Sequence, residues 1–329
     1  MILVTDRANC FVPPAICSLR ILICFTAALL TCGAARAVQL DVAPQANEAI
    51  RLMYSGKSES AIALAHKLEQ ARPEHPLGYL VEVDILWWKM YCKWMERRYN
   101  TVDAWSQQRP AQPDDTASLA LVDKLIRLSE AGIAKSDTAE MELYAGLGYA
   151  SRARLLGLRY EKLATARAGV EARKHLLRCL QLDPRMVDAD LGLGLYNYYA
   201  DTLSAMARIL RFFMGIPGGD KRLGLQQLQA AATAGQLTPL EARFNMARSL
   251  RNYDFDYVHA AEVAAPLIVK YPENPIFLLL AGDIEAKLGH KEMAAMHFRG
   301  AEAAAMEDAE CASRVQKLAR EALSALGVN

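Results

Sequence analysis

The sequence predicts an all-α protein, a solenoid of stacked antiparallel helix pairs, and three observations predict it. First, one spacing recurs in one phase: Ala61–Ala65–Leu68–Pro73, Ala172–Leu176–Cys179–Pro184 and Ala260–Ala264–Leu267–Pro272. A fourth copy, Ala294–Phe298–Ala301, keeps the apolar steps and has Met306 where the proline would fall. Steps of four and three put these side chains on one stripe of a helix, and a proline five residues later cannot continue that helix. Second, clusters of Gly, Pro and Asp cut the chain into segments of about one helix each. Third, alanine dominates and alternating strand-like stretches are missing from the sequence.

The first segment reads as an export leader. Arg7 and Arg20 precede an apolar run at 21–30, and Ala35-Arg36-Ala37 follows as an A-x-A cleavage site, which makes 1–37 a signal peptide. The run is shorter than the roughly 20 residues a membrane-spanning helix needs. Thr31 before Cys32 does not suit a lipidated cysteine. Cleavage after Ala37 would place 38–329 outside the cytoplasm, in the periplasm or envelope of a bacterium. It would remove Arg7, Arg20, Arg36 and Asp6, turning a formal charge of +1 into one negative unit. A chain so close to neutral has no global field to steer it to nucleic acid. Of seven cysteines, Cys92, Cys179 and Cys311 stay, too far apart in sequence for a disulfide framework. Cys179 lies on the apolar stripe as a small core residue.

The helices follow in order. A first pair covers about 46–72, turning at Ser55-Gly56-Lys57. After Pro73-Glu74-His75-Pro76 a long helix runs from about 77 to 99. The stretch 109–115, with Pro110 and Pro113, reads as a loop, and Thr116 or Ser118 as the cap of the next helix. Another helix opens near Asp137, and a long one ends at Leu182 before Asp183-Pro184. Residues 188–215 are too long for one repeat helix and end in Gly215, Pro217, Gly218 and Gly219, after which Asp220 caps a further helix. Pairs at about 240–271 and 276–306 come next, and a last helix reaching Leu326 caps the array.

These spacings resemble the tetratricopeptide repeat, whose period is 34 residues. The best copy has Gly282 at the small position of the first helix, Gly289 at the turn, and Ala294, Phe298 and Ala301 on the second helix. Glu285 stands where the family prefers tyrosine. The clearest repeats are 42–73, 240–272 and 275–306. From Pro73 to Pro184 is 111 residues and from Pro184 to Pro272 is 88, so extra residues are expected within 140–182 and 196–220. The resemblance implies a right-handed solenoid, irregular in the middle, that binds a protein or peptide on its concave face. Residues 140–272 also resemble the eukaryotic inclusion-body-clearance family of repeat proteins, through Gly215, Gly218 or Gly219, Asp220, Gly224 and Leu228. The paired proline usual there after Leu203-Ser204 is missing, and this second resemblance implies architecture more than function.

Trp87, Trp88, Trp94 and Trp105 fall in one stretch with Tyr91, Tyr99, Lys89, Lys93, Arg97 and Arg98. On a helix Trp87, Tyr91, Trp94 and Arg98 share a face suited to packing. Trp88, Lys93 and Arg97 lie elsewhere and are the candidate partner-binding residues, offered to an acidic or aromatic-bearing protein segment. Two alternatives use other chemistry. The Trp87–Trp105 cluster could stack a glycan or small ligand. A helix over 202–214, with Met206, Ile209, Leu210, Phe212, Phe213 and Met214 beside Arg208 and Arg211, could lie on a membrane, although burial inside the array is the expectation there.

Catalytic signatures do not emerge. Gly215–Arg222 lacks the Walker spacing, since Asp220 stands at the critical place and no strand precedes it. The six histidines lack metal-ligand spacing; His290 and His297 are seven apart without a third ligand. There is no G-x-S-x-G, no H-E-x-x-H, and no cysteine with a histidine partner nearby. The expectation is a non-catalytic scaffold without metal or cofactor.

Overall fold

The computed structural model describes residues 40–98, 101–103, 113–204, 208, 211, 212 and 214–328. The signal-peptide reading of 1–37 and Trp105 lie outside them. Among the described residues the chain is all-α except for one tiny hairpin. The helices are α1 (Pro44–Tyr54), α2 (Ser58–Ala71), α3 (Pro76–Trp94), α4 (Pro113–Lys135), α5 (Ala139–Leu158), α6 (Lys162–Leu182), α7 (Ala189–Asp201), α8 (Lys221–Ala234), α9 (Pro239–Ser249), α10 (Tyr257–Lys270), α11 (Pro275–Lys287), α12 (Lys291–Ala303) and α13 (Ala309–Ala325). A π-helical turn, Leu250–Asp254, extends α9. Strands β1 (Glu96–Arg98) and β2 (Thr101–Asp103) pair antiparallel, with Arg97 opposite Val102.

Local chemistry sets the helix starts. Proline opens α1, α3, α9 and α11, where its missing N–H costs nothing and its φ is already helical. Side-chain caps open others: Asp220 accepts from the Leu223 N–H at 2.9 Å, Asn274 from Phe277 at 3.0 Å, and Asp308 from Cys311 at 3.0 Å. Three elements depart from the sequence reading. Helix α3 ends at Trp94 because the chain turns into the β1–β2 hairpin instead of continuing to 99. Helix α4 opens at Pro113 itself, with Asp114 and Asp115 in its first turn, where carboxylates favour the helix dipole; Thr116 and Ser118 are interior positions, not caps. Helix α7 stops at Asp201, and six of the thirteen residues of the expected 202–214 helix, Met206, Ile209, Leu210 and Phe213 among them, lie outside the described residues.

The repeated stripe is core in all four copies. Ala61, Ala65, Ala172, Leu176, Cys179, Ala260, Ala264, Leu267, Ala294, Phe298 and Ala301 are all buried. Leu176 shows how the stripe works. A Cβ added to Gly146 on α5 would meet its side chain at 2.5 Å, and Gly192 on α7 is as close, so α6 plugs one leucine into the gap both glycines leave. Truncating such a residue costs about 2–5 kcal/mol. Gly282 on α11 similarly faces the Phe298 ring on α12.

Each helix packs on the ones before and after it, giving the pairs α1/α2, α3/α4, α5/α6, α7/α8, α9/α10 and α11/α12, with α13 against α12. Turns of three residues join α5 to α6, and α11 to α12, so those partners run antiparallel. In α7/α8 the backbones touch: a Cβ on Gly224 would sit 2.7 Å from the Gly194 carbonyl oxygen. The first and last pairs also meet, which the sequence reading did not anticipate. Asn274 donates to the Tyr54 carbonyl at 2.7 Å, and the Glu307 N–H donates to the Gly56 carbonyl at 3.1 Å.

Candidate functional site

Helix α3 carries the sequence-derived candidates, and its faces have three different fates. One face enters an aromatic hub. Trp88 sits edge-on to Tyr54 with centroids 5.3 Å apart, 4.9 Å from Phe244 and 5.9 Å from Phe277. Tyr54 stacks on Phe277 at 5.6 Å. Helices α1, α3, α9 and α11 thus meet through rings, and Trp88 is only 6% exposed. This corrects its assignment as a partner-binding residue. A tryptophan so enclosed contributes its large apolar area and ring-edge contacts to the fold, and a partner cannot reach it. Trp87, at 7%, and Tyr91, at 2%, are buried too, so these rings give a glycan no stacking platform.

The second face is covered by α13. Lys93 pairs with Glu310 at 2.5 Å and lies 3.9 Å from Asp114. Lys89 pairs with Glu59 and lies 3.5 Å from Asp308. The Glu310 hydrogen bond raises the Lys93 pKa above its ordinary value. The Arg314 Nε donates to the Met95 carbonyl at 2.5 Å, and Ser60 donates twice to the Glu307 carboxylate, at 3.0 and 2.7 Å. A disulfide between Cys92 and Cys311 seals the seam, with Cα atoms 5.5 Å apart across 219 residues of sequence. The sequence reading missed this bond, because spacing along the chain says nothing of proximity once the ends meet. Cys179 stays free and buried, its thiol pushed up to about 12 by burial, and so inert. Lys89 and Lys93 thus meet acidic side chains of the chain itself, Asp308 and Glu310 at the start of α13 among them. Arg97 lies in β1, beyond the helix.

The third face holds ionisable groups in the interior. Arg154 on α5 bonds Glu241 on α9, Asp84 on α3 at 3.2 Å, and Ser151 at 3.0 Å, with its guanidinium 4.9 Å from the centre of the Trp87 ring. Burial and the Glu241 charge push the Asp84 carboxyl up to about 7. Beside Arg154 lies a cavity of about 10 Å³, room for one water, lined by Val83, Trp87, Ser118, Val122, Ser151 and Leu155. A second carboxyl pair, Glu69 on α2 and Glu82 on α3, sits across the helix, and burial followed by the hydrogen bond to Glu82 lifts Glu69 to about 8. His66 lies 3.0 Å from Glu82. Such arrangements lock three helices together and take up a proton near neutral pH. Ser151 accepts a bond from Arg154 and is 2% exposed, so no base activates it. Among the described residues no three His, Cys, Asp or Glu side chains gather as metal ligands.

Compared with family models and with curated proteins, the chain matches none.

Proposed function

We propose that the protein is an exported, non-catalytic scaffold, a right-handed solenoid of tetratricopeptide-like helix pairs that binds a protein or peptide partner. The observation that carries this reading is serial packing around a filled interior. Four of the six helix pairs bury the same small-residue stripe against their neighbours, as repeat arrays do, while aromatic rings fill the space between α1, α3, α9 and α11. Recognition then belongs to the outer surface. The Cys92–Cys311 bond supports export, because disulfides persist in oxidising compartments.

Of the sequence-derived candidates, Lys93, whose side chain stays 40% exposed beside Glu310, and Arg97 in β1 remain as acidic-partner residues, and Trp88 leaves the set. The test has two parts. Intact mass of protein from the envelope fraction should give a start at Val38 and two fewer hydrogens than the reduced chain. Cross-linking in that fraction should trap a partner whose purified form binds saturably, and K93E together with R97E should weaken it several-fold without loss of helicity. Full-length protein in the cytosol, or no saturable partner, would sink the proposal.

A further inference from the structure

The turn between α11 and α12 gathers soft and neutral donor atoms on one flank of a helix. His290 is the N-cap of α12, Met293 lies in its first turn and His297 one turn further on. At about 100° of rotation per residue the three fall within roughly 60° of one another, beside the Ala294–Phe298–Ala301 stripe. Helical side chains lean toward the N-terminus, so His297 reaches over Met293, and Met293 over His290. The turn itself is uncrowded: a Cβ on Gly289 would meet nothing within 4 Å.

Each donor is prepared in its own way. The His290 ring caps no N–H of α12. Its Nδ1 lies 2.7 Å from Oε2 of Glu285 on α11, a carboxylate only 16% exposed. With the proton on Nδ1 donated to Glu285, Nε2 presents its lone pair outward. A carboxylate behind an imidazole orients a metal-ligating histidine and raises its basicity. His297 is half-buried, and burial lowers its pKa below the ordinary histidine value, against the opposing charge of Glu285. That ring is therefore neutral at neutral pH, and it makes no hydrogen bond among the described residues. Met293 is 45% exposed, and a thioether is a weak hydrogen-bond acceptor but a good ligand for a soft ion.

Among the described residues no third imidazole, thiolate or carboxylate completes a metal set with the two histidines. The third donor is the thioether, which is why His290 and His297 taken alone, seven residues apart, carry no metal signature. Two imidazoles and a thioether suit Cu(I), whereas Mg²⁺ and Ca²⁺ require oxygen ligands. Charge favours the same choice. The α12 dipole disfavours a cation at its N-terminus, so one positive charge, offset by Glu285 behind His290, costs less than two.

We infer that the α11/α12 turn binds Cu(I) through His290 Nε2, Met293 Sδ and the His297 ring. The inference does not depend on the partner-binding reading, since it concerns other residues and another ligand, and its failure leaves that reading untouched.

The test is a titration with Ag(I), which shares the charge and softness of Cu(I) and needs no reductant, so the Cys92–Cys311 bond stays intact. It is followed by NMR of isotope-labelled methionine methyl groups in chloride-free buffer at neutral pH, a readout blind to any ion taken up by Cys179. The Met293 methyl resonance, identified as the one missing from Met293→Leu, should shift and stop shifting at one equivalent. Zn²⁺ at the same concentration should leave it in place. His290→Gln and His297→Gln should each weaken binding at least about tenfold. His290 is exposed, so the fold survives its replacement even where His297→Gln perturbs packing. A Met293 resonance that Ag(I) leaves unmoved overturns the inference. Undiminished affinity in His290→Gln also overturns it, because an exposed thioether would then be collecting ions without the histidine. An equal shift with Zn²⁺ does so too, since the site would lack the selectivity a thioether confers.

Discussion

Junctions between helix pairs and turns within them are built to opposite standards. At two of the junctions a buried polar side chain is multiply partnered. Asp188 accepts from the backbone of Gln236, Leu237 and Thr238 at 2.8–3.0 Å and from the Thr238 hydroxyl. Asn274, 4% exposed, caps α11 and at the same time holds the Tyr54 carbonyl of the first pair. Two turns within pairs instead expose tyrosine and phenylalanine in a conformation that suits glycine. The junctions follow folding rules, while at these turns Tyr160 meets Lys162 and Phe255 meets Tyr257 from a backbone conformation that costs energy. Such local departures mark function more reliably than chemistry-bearing residues that the core has absorbed, as Trp88 illustrates.

Mutations should separate the two standards, and the largest effect belongs to the hub that both enclose. Trp88→Ala removes a ring in contact with four others and should destabilise by about 3–5 kcal/mol in urea unfolding; a loss under 1 kcal/mol would return Trp88 to the list of surface residues. Reducing the Cys92–Cys311 bond, or C92A/C311A, frees a loop closed across 219 residues and should cost about 2–5 kcal/mol, read as a shift in denaturation midpoint with and without reductant. Asn274→Ala tests a junction directly. It strips a helix cap and orphans the Tyr54 carbonyl, so roughly 2–3 kcal/mol should be lost. Phe255→Gly tests a turn and should have the opposite sign, a gain of about 0.5–1 kcal/mol from relieved backbone strain less the entropy of glycine. If both variants destabilise, the two edges are not built differently.

The smallest effect is a drift with pH. Glu69 and Asp84 bind protons more tightly folded than unfolded, up to about 8 and about 7. Their contribution is complete below the unfolded carboxyl range, declines as pH rises above it, and is gone once pH passes the folded values. The melting temperature should therefore fall from pH 6.5 to 8, and Glu69→Gln should flatten that slope. Partial exposure of Glu69 keeps the drift modest. A melting temperature rising over the same interval would contradict the proton shared by Glu69 and Glu82.

The sequence by itself determined the helical class, the stripe that becomes core, and most helix limits, because side-chain periodicity, proline and capping residues act within a few residues of chain. Leu182 as the end of α6 and Asp220 as the cap of α8 were legible for that reason. Only the tertiary structure decided what covers α3. Whether Trp88 meets water or Phe244, and whether Lys93 meets Glu310, depends on how helices far apart in sequence pack. In the folded chain α9 and α13 both lie against α3. It also decided that Cys92 and Cys311 bond, and that Tyr160 and Phe255 stand in the left-handed conformation. The physical reason is one of range: periodicity reports which face of a helix is apolar, while long-range closure is a sum of many small packing angles that no local pattern records.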